Sequence, residues 1–97
     1  MSRTCRFALS AEKDLEEIAL FIASDSPRRA LSFVWELRAH CARIADQPEA
    51  YPLREEYGVG VRITVDGRYL IFHAIRDDAL VIERILHGAR HLDWVRL

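Results

Sequence analysis

Hydrophobic and polar positions follow two different periods in the first half of the chain, and each period predicts one kind of element. Residues 4–9 alternate with a period of two, which is typical of a half-buried strand. Residues 10–23 and 27–46 each carry one apolar stripe at helical spacing, with Ser10 and Ser26 as the expected N-caps. Because only a short connector separates the two stripes, we expect the helices to form a hairpin.

The second half of the chain predicts a long loop followed by three consecutive strands. Residues 47–60 contain prolines, glycines and a run of charges, which favour a loop that includes at most a short extended piece. Three alternating segments then follow with tight-turn signals between them: 61–65, Asp66-Gly67, 68–76, Asp77-Asp78 and 80–87. This order predicts one α+β domain over residues 1–97, a β-α-α-β-β-β chain whose antiparallel sheet carries a helical hairpin on one face.

The segment 68–76 is apolar on both of its faces. One face carries Leu70, Phe72 and Ala74, and the other carries Tyr69, Ile71, His73 and Ile75. Two helices cover only one face of a four-stranded sheet, so the uncovered face predicts a groove that another polypeptide fills. The alternative, equally open on this pattern, is that the long loop or the C-terminal tail folds back over that face. The alternation does not decide which of the two faces is the open one.

The charge balance excludes one class of function. The chain carries 14 basic and 15 acidic residues, a formal net charge of −1, and Lys13 is its only lysine. Proteins that hold nucleic acid through its phosphates carry a basic excess, so we expect no direct nucleic-acid recognition. The sequence contains no apolar stretch of membrane-spanning length and no export signal, so we expect a cytoplasmic protein without membrane contact.

No residue pattern indicates a metal or another cofactor. Cys5 and Cys41 fall on core-facing positions and are expected to behave as small apolar side chains, not as nucleophiles. His87 and His91 have the spacing of two zinc ligands on a helix, but Gly88 replaces the glutamate of metalloprotease chemistry and the pair lies at a strand end. We therefore expect no metal site.

A group of polar residues in the second half has the chemistry of a metal-independent ribonuclease, which needs a base, an acid and cations. The group consists of Arg62, Arg68, Tyr69, His73, Arg76, Arg84, His87, Arg90 and His91. The alternative for each residue is an ordinary structural role, such as an ion pair with a carboxylate for Arg84 or a half-buried sheet position for His73.

Several segments strongly resemble the ParE toxins of the RelE/ParE superfamily. They are residues 67–73 (GRYLIFH), Asp77-Asp78 and 85–90 (ILHGAR), with a first-helix pattern in 11–23 and a helix connector at 25–27. The resemblance implies the RelE/ParE fold and a type II toxin–antitoxin system, in which a ParD-like antitoxin wraps and neutralises the toxin in a heterotetramer or a larger complex. It also implies that the toxin poisons DNA gyrase and stops replication.

RelE toxins share this fold and cut messenger RNA on the ribosome, which makes an endoribonuclease of that type the alternative function. RelE nucleases are strongly basic, and their pattern has an arginine where Tyr69 stands, while Arg68 lies one place earlier on the opposite strand face. Arg90 matches a catalytic arginine of that pattern, but the tail offers His91 and no tyrosine. Charge and spacing favour a gyrase poison that acts by binding and has no catalytic residues. A non-toxic binding module is a third interpretation.

The composition of the C-terminal end indicates where the chain would bind gyrase. We expect the C-terminal strand and tail to inhibit gyrase through Arg84, His87, Arg90 and Trp94, because an end that bears arginine and tryptophan has the composition of a binding hot spot. Trp94 has the alternative of packing on the helices.

The strand pattern indicates where the antitoxin would bind. We expect Tyr69, Ile71 and His73 to line its groove on the sheet. Arg62 and Arg76 are expected to pair with carboxylates of an acidic partner.

Overall fold

The computed structural model describes residues 3–89, which form two helices and a four-stranded sheet. In chain order the elements are β1 (Cys5–Phe7), α1 (Leu9–Ala23), α2 (Pro27–Asp46), β2 (Arg62–Asp66), β3 (Tyr69–Arg76) and β4 (Ala79–His87). Two three-residue 3₁₀ turns, Pro48–Ala50 and Glu55–Tyr57, lie in the loop before β2. The predicted α+β fold is confirmed, and each element lies where its period placed it.

The sheet is mixed, with its strands in the order β1-β4-β3-β2. The last three strands form the predicted antiparallel meander, in which Ile71 of β3 lies between Thr64 of β2 and Ile85 of β4. β1 departs from the expected antiparallel pairing, because it runs parallel to β4 with Cys5 opposite Leu80. The helices carry the chain from β1 to the far edge of the sheet, and the meander then brings β4 back to β1 in the same direction.

The two helices begin in different ways. Ser26 caps α2 as predicted, since its side chain accepts a hydrogen bond of 3.3 Å from the backbone N–H of Arg29. The prediction of a Ser10 cap for α1 is wrong, because the N-cap is Ala8, which has no side-chain acceptor. The Ala8 N–H donates to the Ile82 carbonyl at 2.9 Å, so pairing with β4 continues up to the first turn of the helix.

Both helices pack on one face of the sheet and enclose most of the buried side chains. This helix-facing core consists of Ala11, Leu15, Leu37, Cys41, Ile44, Ala45, Ile71, Leu80, Ile82 and Ile85. Burial is the main reason why the pKa of the Cys41 thiol is raised to about 12, and Cys5 packs half-buried against the same core. Both cysteines therefore occupy the core-facing positions that the sequence predicted.

A smaller cluster lies on the opposite face of the sheet. This far-face cluster consists of Val61, Ile63, Phe72 and Leu86, with Tyr57 and Leu70 packed at its margin. β3 therefore sends Ile71 towards the helices and Phe72 away from them, which decides the question that the alternation left open. In the described part of the chain, neither helix is long and apolar enough to cross a membrane.

Candidate functional site

Arg84 is held on β4 by a carboxylate from α1. Its Nε and Nη2 atoms donate to Oδ2 and Oδ1 of Asp14 at 2.7 and 3.0 Å, and the Ile85 backbone N–H donates to Oδ2 at 2.9 Å. The register between β3 and β4 skips Glu83, and this bulge places Arg84 beside α1. The hydrogen bond with Asp14 raises the pKa of Arg84. Arg84 thus makes the ion pair that was its structural alternative.

Arg62 and Arg76, expected to meet carboxylates of a partner, already have acceptors within the chain. Arg62 Nη1 donates to the Tyr51 carbonyl at 2.7 Å, which ties β2 to the preceding loop. Arg76 Nε lies 3.2 Å from Glu83 Oε2, across the bulge between β3 and β4. A partner would have to share or displace these acceptors to bind either guanidinium.

Ile71 and His73, expected in the antitoxin groove, lie in the interior instead. Both side chains are 0% exposed, because this face of β3 is the one that the helices cover. His73 Nε2 and Thr64 Oγ1 share a hydrogen bond of 2.8 Å. Burial lowers the pKa of His73 to about 4, and the positive charges of Arg62 and His40 add to the shift. No partner reaches either side chain in this fold, so the expectation is corrected for these two residues.

The described residues do not gather into a metal site, since they contain no group of three or more potential His, Cys, Asp or Glu ligands. The polar groups beneath α2 hold the helix to the sheet instead. His40 Nδ1 lies 2.7 Å from Asp66 Oδ2 and links α2 to the end of β2.

Tyr69 and His87 stand in a row of rings at one end of the sheet. The Tyr69 ring centroid lies 5.1 Å from that of Phe33 on α2 and 5.3 Å from that of His87 on β4. The Tyr69–His87 pair meets edge to face, so the row is packed but Tyr69 stays half-exposed. Arg90 and Trp94, the other two candidates for gyrase inhibition, lie outside the described residues, as does His91.

The far-face cluster is covered in part by the loop before β2. The Tyr57 ring meets Phe72 edge-on, with centroids 5.3 Å apart and an interplanar angle of 83°. Leu53 forms an isolated antiparallel bridge with Arg62, which is the short extended piece expected in this loop. At Phe72, therefore, the loop covers the face of β3 that the helices leave open, as the alternative interpretation expected.

The outer side of the helical hairpin exposes apolar side chains that the core does not use. Leu31 and Trp35, one turn apart on α2, are 67% and 77% exposed, and Leu9 and Leu20 are exposed on α1. A groove of about 430 Å³ runs between the helices, lined by Leu9, Glu12, Lys13, Leu15, Glu16, Ala19, Val34 and Arg38. We call Leu31, Trp35 and this groove the outer hairpin surface.

The sequence contains a signal for this surface, although none of the predicted site residues lies on it. The apolar stripe of α2 runs through Ala30, Val34, Leu37, Cys41 and Ile44, and Leu31 and Trp35 both fall beside it. Large apolar residues that lie off the core stripe of a surface helix indicate a second apolar contact.

The sequence matches the family described as ParE toxin of type II toxin-antitoxin system, parDE, over residues 5–92. The fold is similar to a solved structure of the chromosomal ParDE system from P. aeruginosa, with a TM-score of 0.74, 17% identity and coverage of 89% of this chain and 96% of that chain. It is also similar to a chain of the RelBE2 toxin-antitoxin complex from Mycobacterium tuberculosis, with a TM-score of 0.62, 27% identity and coverage of 90% and 99%. Among curated proteins, none is significantly similar in sequence.

Proposed function

The chain belongs to the ParE toxin family of type II toxin–antitoxin systems, and on this basis we propose that it inhibits DNA gyrase and blocks DNA replication. A ParD-like antitoxin neutralises it by direct binding in a heterotetramer or a larger complex. The observation that carries the proposal is the family match over residues 5–92, because it includes every described helix and strand.

Inhibition by binding fits the environments of His73, Arg62 and Arg84 better than catalysis does. A nuclease needs an accessible base beside cations that can meet a phosphate. His73 is inaccessible, and the guanidinium groups of Arg62 and Arg84 are already bonded to oxygens of the chain itself. Trapping a cleaved gyrase–DNA intermediate requires only that the toxin bind this state more tightly than the others. The proposed activity therefore needs no bond-making side chain.

We place the gyrase-inhibiting surface at the end of β4 and in the tail, with Arg84, His87, Arg90 and Trp94. β4 ends at His87, and the Gly88 N–H donates to the Arg68 carbonyl at 2.9 Å, so the chain leaves the sheet beside the β2–β3 turn. Because Asp14 holds the Arg84 guanidinium, the proposed contribution of Arg84 to gyrase inhibition is to fix the end of β4, which precedes the tail in the chain.

For the antitoxin we propose the outer hairpin surface as the main contact. An exposed tryptophan is a side chain that binding hot spots favour, and the groove between the helices, half of whose lining residues are apolar, gives a partner's side chains a place to pack. Tyr69, Arg62 and Arg76 are secondary candidates, since each of them is half-exposed.

The first test is to induce the chain without an antitoxin in a bacterial host and to pulse-label DNA and protein synthesis over the first minutes. We expect DNA synthesis to stop while translation continues. The purified chain should then inhibit supercoiling by gyrase and accumulate cleaved DNA. If folded chain accumulates and neither synthesis changes, gyrase poisoning is wrong and the inert binding module is favoured.

A chain that ends at Gly88 tests the assignment to the tail. It keeps all four strands and both helices, so we expect a folded protein by circular dichroism that no longer inhibits gyrase. Arg43→Gln on the exposed side of α2 is the matched control and should keep full inhibition. Full inhibition by the truncated chain would refute the tail assignment.

The antitoxin contact is tested separately with Trp35→Gln. We expect this substitution to weaken binding of a co-purified ParD-like antitoxin by about thirtyfold or more, as loss of a hot-spot residue does. Gyrase inhibition should be unchanged, because Trp35 lies on the helices and not at the end of β4. Arg43→Gln again serves as the control, and equal affinities of the two variants would exclude Trp35 from the contact.

A ribosome-dependent endoribonuclease is the second candidate, and the similarity to a chain of the RelBE2 complex at 27% identity favours it. The same pulse-labelling experiment separates the two, since this function stops translation first. Arg90→Ala would then abolish cleavage of messenger RNA.

A further inference from the structure

At the end of the helical hairpin where the connector joins the two helices, the helices and the β2–β3 turn line a cleft of about 540 Å³. Its walls carry the aromatic residues Phe21, Phe33 and Tyr69, and its charged residues are Asp25, Arg29 and Arg68. We call it the hairpin-end cleft. Its volume is within the range of small-molecule sites, which combine apolar walls with a few convergent polar groups.

The aromatic walls suit a planar ligand. Phe33 and Tyr69 pack with ring centroids 5.1 Å apart and planes tilted by 58°, so they hold each other in place across α2 and β3. Phe21 on α1 is 63% exposed and is the third aromatic residue in the lining of the cleft. A heteroaromatic base stacks on aromatic rings with little dependence on which base it is.

The two arginines of the cleft differ from the arginines of the strands. The guanidinium groups of Arg62, Arg76 and Arg84 are bonded to oxygens of the chain, whereas the guanidinium groups of Arg29 and Arg68 make no hydrogen bond or ion pair with another described residue. They come from separate elements, the first turn of α2 and the β2–β3 turn. Guanidinium groups bind phosphate oxygens in pairs, and the two cations outnumber the single carboxylate of Asp25.

We propose that the hairpin-end cleft binds a mononucleotide, with the base stacked between the aromatic walls and the 5′-phosphate held by Arg29 and Arg68. The chain has a formal net charge of −1 and therefore lacks the basic excess that holds many phosphates, so the ligand is a single nucleotide and not a strand. The proposal does not rest on gyrase inhibition, because none of the residues that line the cleft is one of those assigned to the gyrase-inhibiting surface.

The test is a titration of the full chain with GMP and AMP. Binding is monitored through the NMR signals of the backbone amides and the arginine Nε–H groups. We expect both nucleotides to shift the Arg29 and Arg68 signals. Guanosine, which lacks the phosphate, and ribose 5-phosphate, which lacks the base, should each bind more weakly than GMP. This pattern shows that the base and the phosphate both contribute to affinity.

Two variants assign these contributions to the two walls. Arg68→Gln should weaken GMP and ribose 5-phosphate alike, by roughly tenfold or more for the loss of a charge-assisted contact. Phe21→Ala should weaken GMP and leave ribose 5-phosphate unchanged. Both residues are exposed, so the amide spectrum should confirm an intact fold. Arg28→Gln, one position before Arg29 and outside the cleft lining, is the matched control and should bind GMP normally.

Three results would overturn the proposal. The first is the absence of any shift in the arginine signals at millimolar nucleotide. The second is an equal loss of GMP affinity in Arg28→Gln and Arg68→Gln, which would mean diffuse charge attraction. The third is much tighter binding of a short single-stranded oligonucleotide than of GMP, which would make a strand the ligand. All three are read on the purified chain, so they are separable from a failure of gyrase inhibition.

Discussion

On β3, Ile71 faces the helices and Phe72 faces the opposite side, and the two side chains are almost equally buried, at 0% and 2% exposure. The parts of the chain that cover them are very different. Ile71 lies in the helix-facing core beneath α1 and α2, whereas Phe72 is met by Tyr57 from a three-residue turn. A long helix separates from the sheet only when the core unfolds, whereas a short turn can open locally. Equal burial therefore does not mean equal resistance to opening.

The largest expected effect is on the helix-facing side. Ile71→Ala removes a fully buried side chain between the helices and the sheet, so we expect the free energy of unfolding to fall by about 4 kcal/mol. Val65→Ala, on the neighbouring strand β2 and 65% exposed, is the control and should change it by less than about 0.5 kcal/mol. Urea unfolding followed by circular dichroism measures both, and similar losses would contradict the dominance of the helix-facing core.

A pH series tests the same side through His73. Its pKa is about 4 in the folded chain, against 6.5 for an ordinary histidine. As the pH falls below 6.5, His73 becomes protonated in the unfolded chain but stays neutral in the folded chain. The free energy of unfolding therefore has its full value above pH 6.5 and decreases as the pH falls to 4, by up to about 3 kcal/mol. His73→Gln should remove this part of the pH dependence, because the amide is neutral throughout. Identical pH profiles for the two proteins would show that His73 protonates without cost in the folded state.

The link between α1 and β4 gives the next effect. Asp14→Ala leaves the Arg84 guanidinium and the buried Ile85 N–H without their shared acceptor, which should cost about 2 kcal/mol of unfolding free energy. Glu16→Ala, on the same helix and exposed, is the control. If the two variants unfold at the same urea concentration, apolar packing alone holds α1 to the strand.

Whether a feature of the fold or of the site can be predicted from the sequence depends on how far apart in the chain the interacting residues lie. The Ser26 cap is local, and the alternation that sets Ile71 against Phe72 is local too, so both are visible in the sequence. The Asp77-Asp78 turn is visible for the same reason, and both of its residues adopt positive φ, at 50° and 64°. Periodicity identifies which residues share a face because neighbours in the chain impose it.

The remaining features depend on residues that are distant in the chain. Asp14 and Arg84 are separated by 70 positions, and nothing near either residue indicates the other. The bulge that places Arg84 beside α1 and the parallel pairing of β1 with β4 arise only when the sheet is assembled. The choice of the face that the helices cover is of the same kind, and this is why Ile71 and His73 were expected on a partner surface and lie in the core.

The smallest effect distinguishes the two sides most directly, because it removes one of the side chains that pack on Phe72 and leaves the strand intact. Tyr57→Ala deletes the edge-on ring contact with Phe72, and we expect a loss of about 1 kcal/mol of unfolding free energy, from one aromatic pair and some apolar area. Amide hydrogen exchange should then quicken in the loop before β2 and stay unchanged in α1 and α2, since the far-face cover opens without the helices. Val59→Ala, 79% exposed in the same loop, is the control and should exchange like the original chain. Faster exchange throughout the helices of Tyr57→Ala would mean that both faces of β3 open as one unit. The free energy of opening would then be the same for the two faces.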